Sequence, residues 1–281
     1  MRRLFLHFLL VFFLSSGLGL LSALEIEFTG GINSFTFEPR GKIIPPEEEE
    51  EEDDVEIIKD KFSHFMIGNF SVKGEISNSS AFHVNLERDN IQQNSINFRL
   101  STRMDNFKFE FGPFIGFSDD FELDIGLSGC LEVTFPGIVF FSLSGASTMG
   151  TRYSFTSDNS RESVEIKLGF WLPIVIPTLV FNTKSFTQDD TTNNLTRVFV
   201  SAEFFGKTSP VIFRLDAGYE ILERTIEDET NKLDAVFAGF ELNIKIAQAR
   251  IIAGAEIPFV LPSGTSDTFF KAYAGVAYSF Y

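Results

Sequence analysis

The sequence predicts an all-β fold, a transmembrane antiparallel up-and-down β-barrel of about fourteen strands, with twelve as the alternative count. Three observations predict it. Apolar residues recur at every second position through most of the chain, the period of a strand with two unlike faces. Longer and shorter polar connections alternate between these segments. The last segment, Phe269 to Tyr281, is an amphipathic strand ending in aromatics, and such an edge is an aggregation hazard unless it is paired.

The chain opens with Arg2 and Arg3, then the apolar run Leu4 to Leu14, then the small-residue segment Ser15 to Ala23. This pattern predicts a secretory signal peptide over residues 1–23, cut near Ala23. An uncleaved membrane helix is the competing reading. No cysteine lies near the cut, so the segment is not a lipoprotein signal. Residues 24–281 form the expected barrel. No other stretch is apolar for the roughly 18 residues that a membrane helix needs.

Composition bounds the function. The formal charge of −16 becomes −18 once Arg2 and Arg3 are removed, which excludes a general nucleic-acid binder. One cysteine, Cys130, permits no intramolecular disulfide. The 35 phenylalanines sit in a chain whose mean hydropathy is near zero, as alternation of Phe with charge requires.

The strands follow in order. Ile26 to Ile32 form the first, and the phase slips at Ser34, which predicts a bulge or an early end. The insert Glu38–Lys61 follows, with eight consecutive acids: Glu47, Glu48, Glu49, Glu50, Glu51, Glu52, Asp53 and Asp54. Such a run repels itself and buries nothing, so a solvated acidic loop at the pore mouth is expected. Met66 to Ile76, Phe82 to Leu86 and Ile96 to Met104 come next, the last closing at the tight turn Asp105-Asn106. Phe107 to Phe117 and Phe121 to Val133 follow, then the turn Pro136-Gly137. A less regular strand starts at Val139 and is expected to reach as far as Phe155. A polar loop at Ser157–Arg161 leads to Val164 to Leu172 and a turn at Pro173–Pro177. Leu179 to Lys184 precede a loop at Gln188–Asn194. Val198 to Phe204, a turn at Lys207–Pro210 and Phe213 to Ile221 lead to a charged loop at Glu223–Lys232. Val236 to Ile246, a turn near Ala247–Ala249, Ile251 to Ile257 and a loop at Pro258–Asp267 precede the closing strand.

If the N-terminus lies in the periplasm, nearly all the outer connections equal or exceed the inner ones in length, the asymmetry expected of an outer-membrane barrel. The apolar faces are then expected to meet lipid, uninterrupted by charge, and the charged faces to line a near-neutral lumen. The expected pore-lining residues are Lys73, Arg99, Arg103, Lys108, Glu110, Glu122, Asp124, Glu132, Lys167, Arg214, Asp216, Glu241, Lys245 and Lys271. Fourteen strands lie between the filled eight-stranded barrels and the open channels of 16–18, so a modest polar pore is expected. An acidic mouth concentrates cations.

The signal segment, the alternating strands and the terminal AYAGVAYSFY resemble bacterial outer-membrane β-barrel proteins of porin-like type. The abundance of Phe and the acidic insert resemble spirochaete barrels. The resemblance implies residence in the bacterial outer membrane, contact with its lipid and assembly by the barrel-assembly machinery through the C-terminal strand. A monomer or a homo-oligomer such as a trimer is expected. In that family the last residue is usually a lipid-facing Phe. Here Phe280 has that parity and Tyr281 lies one beyond it.

The function expected is passive diffusion of small hydrophilic solutes, mildly favouring cations. The alternatives are a surface adhesin or structural protein that uses the acidic loop, and a hydrophobic-solute transporter. The last is disfavoured because no plug segment precedes the first strand. An enzyme is not expected. His64 and His83 are the only histidines after the signal, and no G-x-S-x-G elbow accompanies them. No cofactor or metal is expected.

Overall fold

The computed structural model describes residues 23–34, 65–88, 94–117, 123–148, 159–188, 190–206, 209–226, 229–261 and 269–280. Residues 1–22 of the expected signal segment, His64, Glu122 and the acidic run Glu47–Asp54 lie outside the described residues, and Ala23, the last residue of that segment, opens the first strand. The described elements are all strands. They are β1 (Ala23–Asn33), β2 (Phe65–Ser77), β3 (Ser80–Arg88), β4 (Asn94–Met104), β5 (Phe107–Phe117), β6 (Leu123–Phe135) and β7 (Val139–Thr148). They continue as β8 (Ser160–Phe170), β9 (Val175–Gln188), β10 (Thr191–Phe204), β11 (Val211–Ile226), β12 (Glu229–Ile246), β13 (Ala249–Leu261) and β14 (Lys271–Phe280).

Each strand pairs antiparallel with its sequence neighbours, and β1 pairs with β14 to close the ring. At this seam Phe28 lies opposite Val276, and Thr29 opposite Gly275. A Cβ at Gly275 would collide with the Phe28 carbonyl oxygen, so the seam admits only glycine there. Closure pairs the backbone groups that an open edge would leave exposed. The start of β1 and the end of β14 lie together at one end of the barrel, the turn end, with Leu24 opposite Phe280. The turn Asp105-Asn106 is there, with Asp105 at φ 50°, a left-handed conformation that Asp tolerates.

Alternation decides the faces. The outer face carries large apolar side chains all round: Phe28, Met66, Phe98, Phe111, Leu127, Phe141, Phe170, Leu179, Val200, Leu215, Phe240, Ile251 and Val276 are all exposed. Their cross-strand partners share that face, so the belt is continuous through the pairings.

Several expected loops are strand instead. Gln188–Asn194 is a hairpin tip between β9 and β10, with the strands running to Gln188 and from Thr191. Glu223–Lys232 is likewise mostly strand, with Thr225 opposite Thr230. Arg161 belongs to β8, Pro177 to β9, and Pro258 to β13. The strand from Val139 ends at Thr148 rather than near Phe155. Two of the outer connections are thus as short as the inner turns.

The physical reason is an inversion of polarity along the same pleat. Near the belt, β9–β12 point apolar residues outward. Beyond it, at the loop end, the outward positions are Thr183, Thr187, Thr192, Asn194, Thr196, Glu223, Thr225, Thr230, Lys232 and Asp234. Cross-strand threonines meet there, at 3.4 Å for Thr183–Thr196 and 3.0 Å for both Thr187–Thr192 and Thr225–Thr230. The inward positions turn apolar: Phe186, Leu195, Leu222 and Ala235 are buried against Leu233 and Phe269. A strand obeys whichever solvent faces it, and above the belt that solvent is water outside and protein inside. The outer face is therefore not free of charge: Glu162, Glu223, Lys232 and Asp234 occupy it at the loop end.

Candidate functional site in the barrel lumen

The inner face is polar along most of its height. The register puts Lys73, Arg99, Arg103, Lys108, Glu110, Asp124, Glu132, Lys167, Arg214, Asp216, Glu241, Lys245 and Lys271 on it. They are not equivalent. Lys73, Arg103 and Lys245 are exposed near the turn-end rim. Asp124 is 1% exposed and sealed by protein. The others lie in ion-paired groups or on the walls of two cavities.

On β10–β14 one group centres on Arg197. Its Nη2 lies 2.8 Å from Glu256 Oε2 and its Nε 3.1 Å from Glu220 Oε2. Its guanidinium stacks 4.2 Å above the Phe237 ring. Below it, Arg214 Nε lies 3.1 Å from Asp216 and Nη2 2.9 Å from Glu241. The Tyr273 hydroxyl donates to the same Glu241 oxygen at 2.6 Å, and Asn243 Nδ2 donates to the other at 2.7 Å. At the seam, Arg250 of β13 bridges to Glu25 and Glu27 of β1.

On the opposite wall Lys108 lies 2.6 Å from Glu110, and Arg99 donates through Nε to Ser128 Oγ at 3.1 Å. Lys167 pairs with Glu165 at 2.8 Å. Arg161 reaches furthest. It stands on β8 directly opposite Phe186 of β9, and its guanidinium lies 4.2 Å over that ring. Its Nε meets Asp124 Oδ2 of β6 at 2.8 Å, and its Nη1 donates to the Asn94 carbonyl of β4 at 3.4 Å. The side chain lies over Gly116 of β5, where a Cβ would collide with it. One arginine thus ties β4, β6, β8 and β9 together at the loop end.

The lumen holds at least two cavities among the described residues. The larger, about 500 Å³, is bordered by Glu132, Phe140, Trp171, Arg197, Glu203, Arg214, Asp216, Glu256 and Tyr273. The smaller, about 260 Å³, lies towards the loop end and is bordered by His83, Asn85, Asn97, Arg99, Phe114, Arg161 and Lys184. Glu165 borders both. Cys130 sits on the inner face with Sγ 3.7 Å from Ser142 Oγ. Phe140 and Trp171 pack with ring centroids 5.6 Å apart and planes tilted by 54° near the turn end.

Three features escape the sequence reading. Arg161 is assigned there to a loop, although it shares the parity of Ser163, Glu165 and Lys167, and extending the strand would have found it. Glu25 and Glu27 have inward parity in β1 yet are absent from the expected lining. Inward apolar residues such as Phe114, Phe186 and Phe237 have no place in a charge-lined lumen.

No family model matches the chain, and no curated protein does. Solved structures are similar in architecture. The OmpT loop-deletion mutant of Vibrio cholerae, an outer membrane protein, is 12% identical with a TM-score of 0.45, over 92% of this chain and 99% of that one. The β-domain of the Bordetella autotransporter Brka is 10% identical with a TM-score of 0.42, over 92% and 100%. An anion-selective porin from Comamonas acidovorans is 8% identical with a TM-score of 0.40, over 92% and 99%. The chain is a closed antiparallel barrel of fourteen strands, and the solved structures it is similar to are outer-membrane β-barrels.

Proposed function

We propose that this protein is an outer-membrane channel for passive diffusion of small hydrophilic solutes, with a mild preference for cations. The observation that carries the reading is the pairing of a polar, cavity-bearing lumen with an apolar outer belt. Soluble monomers rarely expose contiguous apolar surface beyond a few hundred Å², whereas hydrocarbon needs such a belt around a closed barrel. The signal peptide over residues 1–23 is the export route in this proposal.

The preference for cations has two sources. Glu203 and Glu132 border the larger cavity without an ion pair among the described residues. Glu203 lies opposite Arg214, whose guanidinium is taken by Asp216 and Glu241, and Glu132 lies opposite Lys108, which is taken by Glu110. The acidic run Glu47–Asp54 is the second source. The test is single-channel recording of refolded full-length protein in planar bilayers under a salt gradient. Discrete conductance with a cation-favouring reversal potential supports the proposal. No conductance, or a preference for anions, overturns it.

A further inference from the structure

β2 and β9 stand opposite each other in the ring, and their ends are built the opposite way round. At the turn end β9 is preceded by Ile174, 67% exposed, whereas β2 closes on the exposed Ser77, Asn78 and Ser79. At the loop end the outward positions of β9 are Thr183 and Thr187, whereas β2 carries Met66, 71% exposed and opposite Ile32. The apolar band is therefore set towards the turns on the β9 side and towards the loops on the β2 side. The neighbours of β9 agree. Ile138, between β6 and β7, is 67% exposed, and Phe205, after β10, is 59% exposed. The turns beyond them present Asp105, Asn106 and Gln248 instead. Phe205 is also held at φ 74°, a left-handed conformation that bulky side chains avoid. In water its exposure and its conformation both count against it, whereas against acyl chains the exposure is favourable. The backbone suits an apolar solvent too, in which N–H and C=O groups need internal partners. Trp171 N–H donates to the Ile138 carbonyl at 3.0 Å and Phe205 N–H to the Ile174 carbonyl at 2.9 Å, which joins the three turns into one ledge. Ile138 N–H donates to the Phe135 carbonyl, and Leu172 N–H to that of Val175. Pro136 and Pro173 have no N–H to satisfy.

We propose that the ledge of Ile138, Ile174 and Phe205 is seated among the glycerol groups and upper acyl chains of the periplasmic leaflet, so that the barrel stands obliquely in the membrane. The turns at Asn78 and Asn106 then stand in water on the far side, and β9–β12 lift their polar collar clear of the outer leaflet. Lipid is the occupant because the ledge continues the belt through Phe135 and Leu172, both exposed, and its described residues carry no charged side chain to fix a specific protein contact. The proposal rests on the membrane seating in the reading above and not on conductance.

The test is fluorescence quenching of the full chain refolded in phosphatidylcholine vesicles whose lipid is brominated near the glycerol backbone or in mid-chain. Trp171 is the one tryptophan, so Trp171→Phe gives a silent background. Ile174→Trp and Phe205→Trp then report the ledge, Asn78→Trp and Asn106→Trp the far turns, and Leu215→Trp the belt. The ledge tryptophans should lose at least about twofold more fluorescence to bromine near the glycerol than the far turns do, because an apolar surface at this boundary sits roughly 5–10 Å deep. Equal quenching of ledge and far turns, strong or weak, overturns the proposal. Ledge tryptophans that neither bromine nor aqueous iodide quenches are covered by a second copy or another protein, which also overturns it. Quenching of Leu215→Trp without the ledge keeps the membrane reading and sinks this proposal, whereas an unquenched Leu215→Trp sinks both. Should a tryptophan variant not fold, a nitroxide on Ile174→Cys or Asn78→Cys in a Cys130→Ser background decides the same question, by its accessibility to oxygen against a water-soluble nickel chelate.

Discussion

Lys184 Nζ lies 3.0 Å from Glu87 Oε1, although the two stand on β9 and β3, nearly opposite walls of the ring. A circular section of fourteen strands, each about 4.8 Å from the next, would be at least roughly 21 Å across. That is too wide for one lysine and one glutamate to span. The barrel is therefore flattened between β3 and β9, and the ion pair is a bar across the lumen. Each partner is part-exposed, so the pair contributes little stability and much shape. Changing Glu87 to Ala should cost less than about 1 kcal/mol in urea unfolding and raise single-channel conductance. An unchanged conductance would show that the bar does not narrow the path.

Arg161 and Asp124 form the opposite kind of pair, each 1% exposed. Removing one partner strands a buried charge, so Asp124→Ala should cost about 3–5 kcal/mol. Arg161→Met combined with Asp124→Leu should cost less than Asp124→Ala, because no charge is left alone. Denaturant unfolding of the three proteins checks the order.

Gly116 gives Arg161 its path, since a Cβ there would meet the guanidinium. Gly116→Ala should destabilise by about 1–3 kcal/mol, the range for overpacking. In a background already carrying Arg161→Met the same change should be close to neutral. Full cost in both backgrounds would mean that the glycine serves the backbone and not the arginine.

The boundary between belt and collar can be tested by charge. Leu215 is outward on β11 within the belt, and Asn194 is outward on β10 above it. Arginine at position 215 should cost roughly 2–4 kcal/mol in lipid vesicles. Arginine at position 194 should change stability by less than about 0.5 kcal/mol. Equal costs would place the boundary elsewhere.

Selectivity should respond to salt. Screening acts over about 10 Å at 0.1 M and about 3 Å at 1 M. Deleting Glu38–Lys61 should lower the preference for cations at 0.1 M and leave it nearly unchanged at 1 M. Glu203→Gln, inside the lumen, should lower it at both. Reversal potentials of the two variants at both concentrations separate the mouth from the interior.

The residues made much of this architecture legible. Alternation in Ile26–Ile32 and in Phe270–Phe280 marks two amphipathic strands at the ends of the chain, and they do pair, Phe28 against Val276. Inward parity was readable wherever one face met an unchanging environment, as for Lys108 and Glu110. It failed at Gln188–Asn194 and Glu223–Lys232, where the outside changes from an apolar belt to a polar collar and the preferred parity flips in mid-strand. A reader who expects apolar side chains outside sees the pattern break and infers a loop.

Local order along the chain therefore settles period, strand count and the faces of the belt, because a strand's alternation is imposed by its own pleat. It does not settle which charge meets which. Arg250 finds Glu27 only because β1 closes on β14, and Lys184 finds Glu87 only because the ring is flattened. Those pairings are set by closure and cross-section, which belong to the ring as a whole and to no single strand.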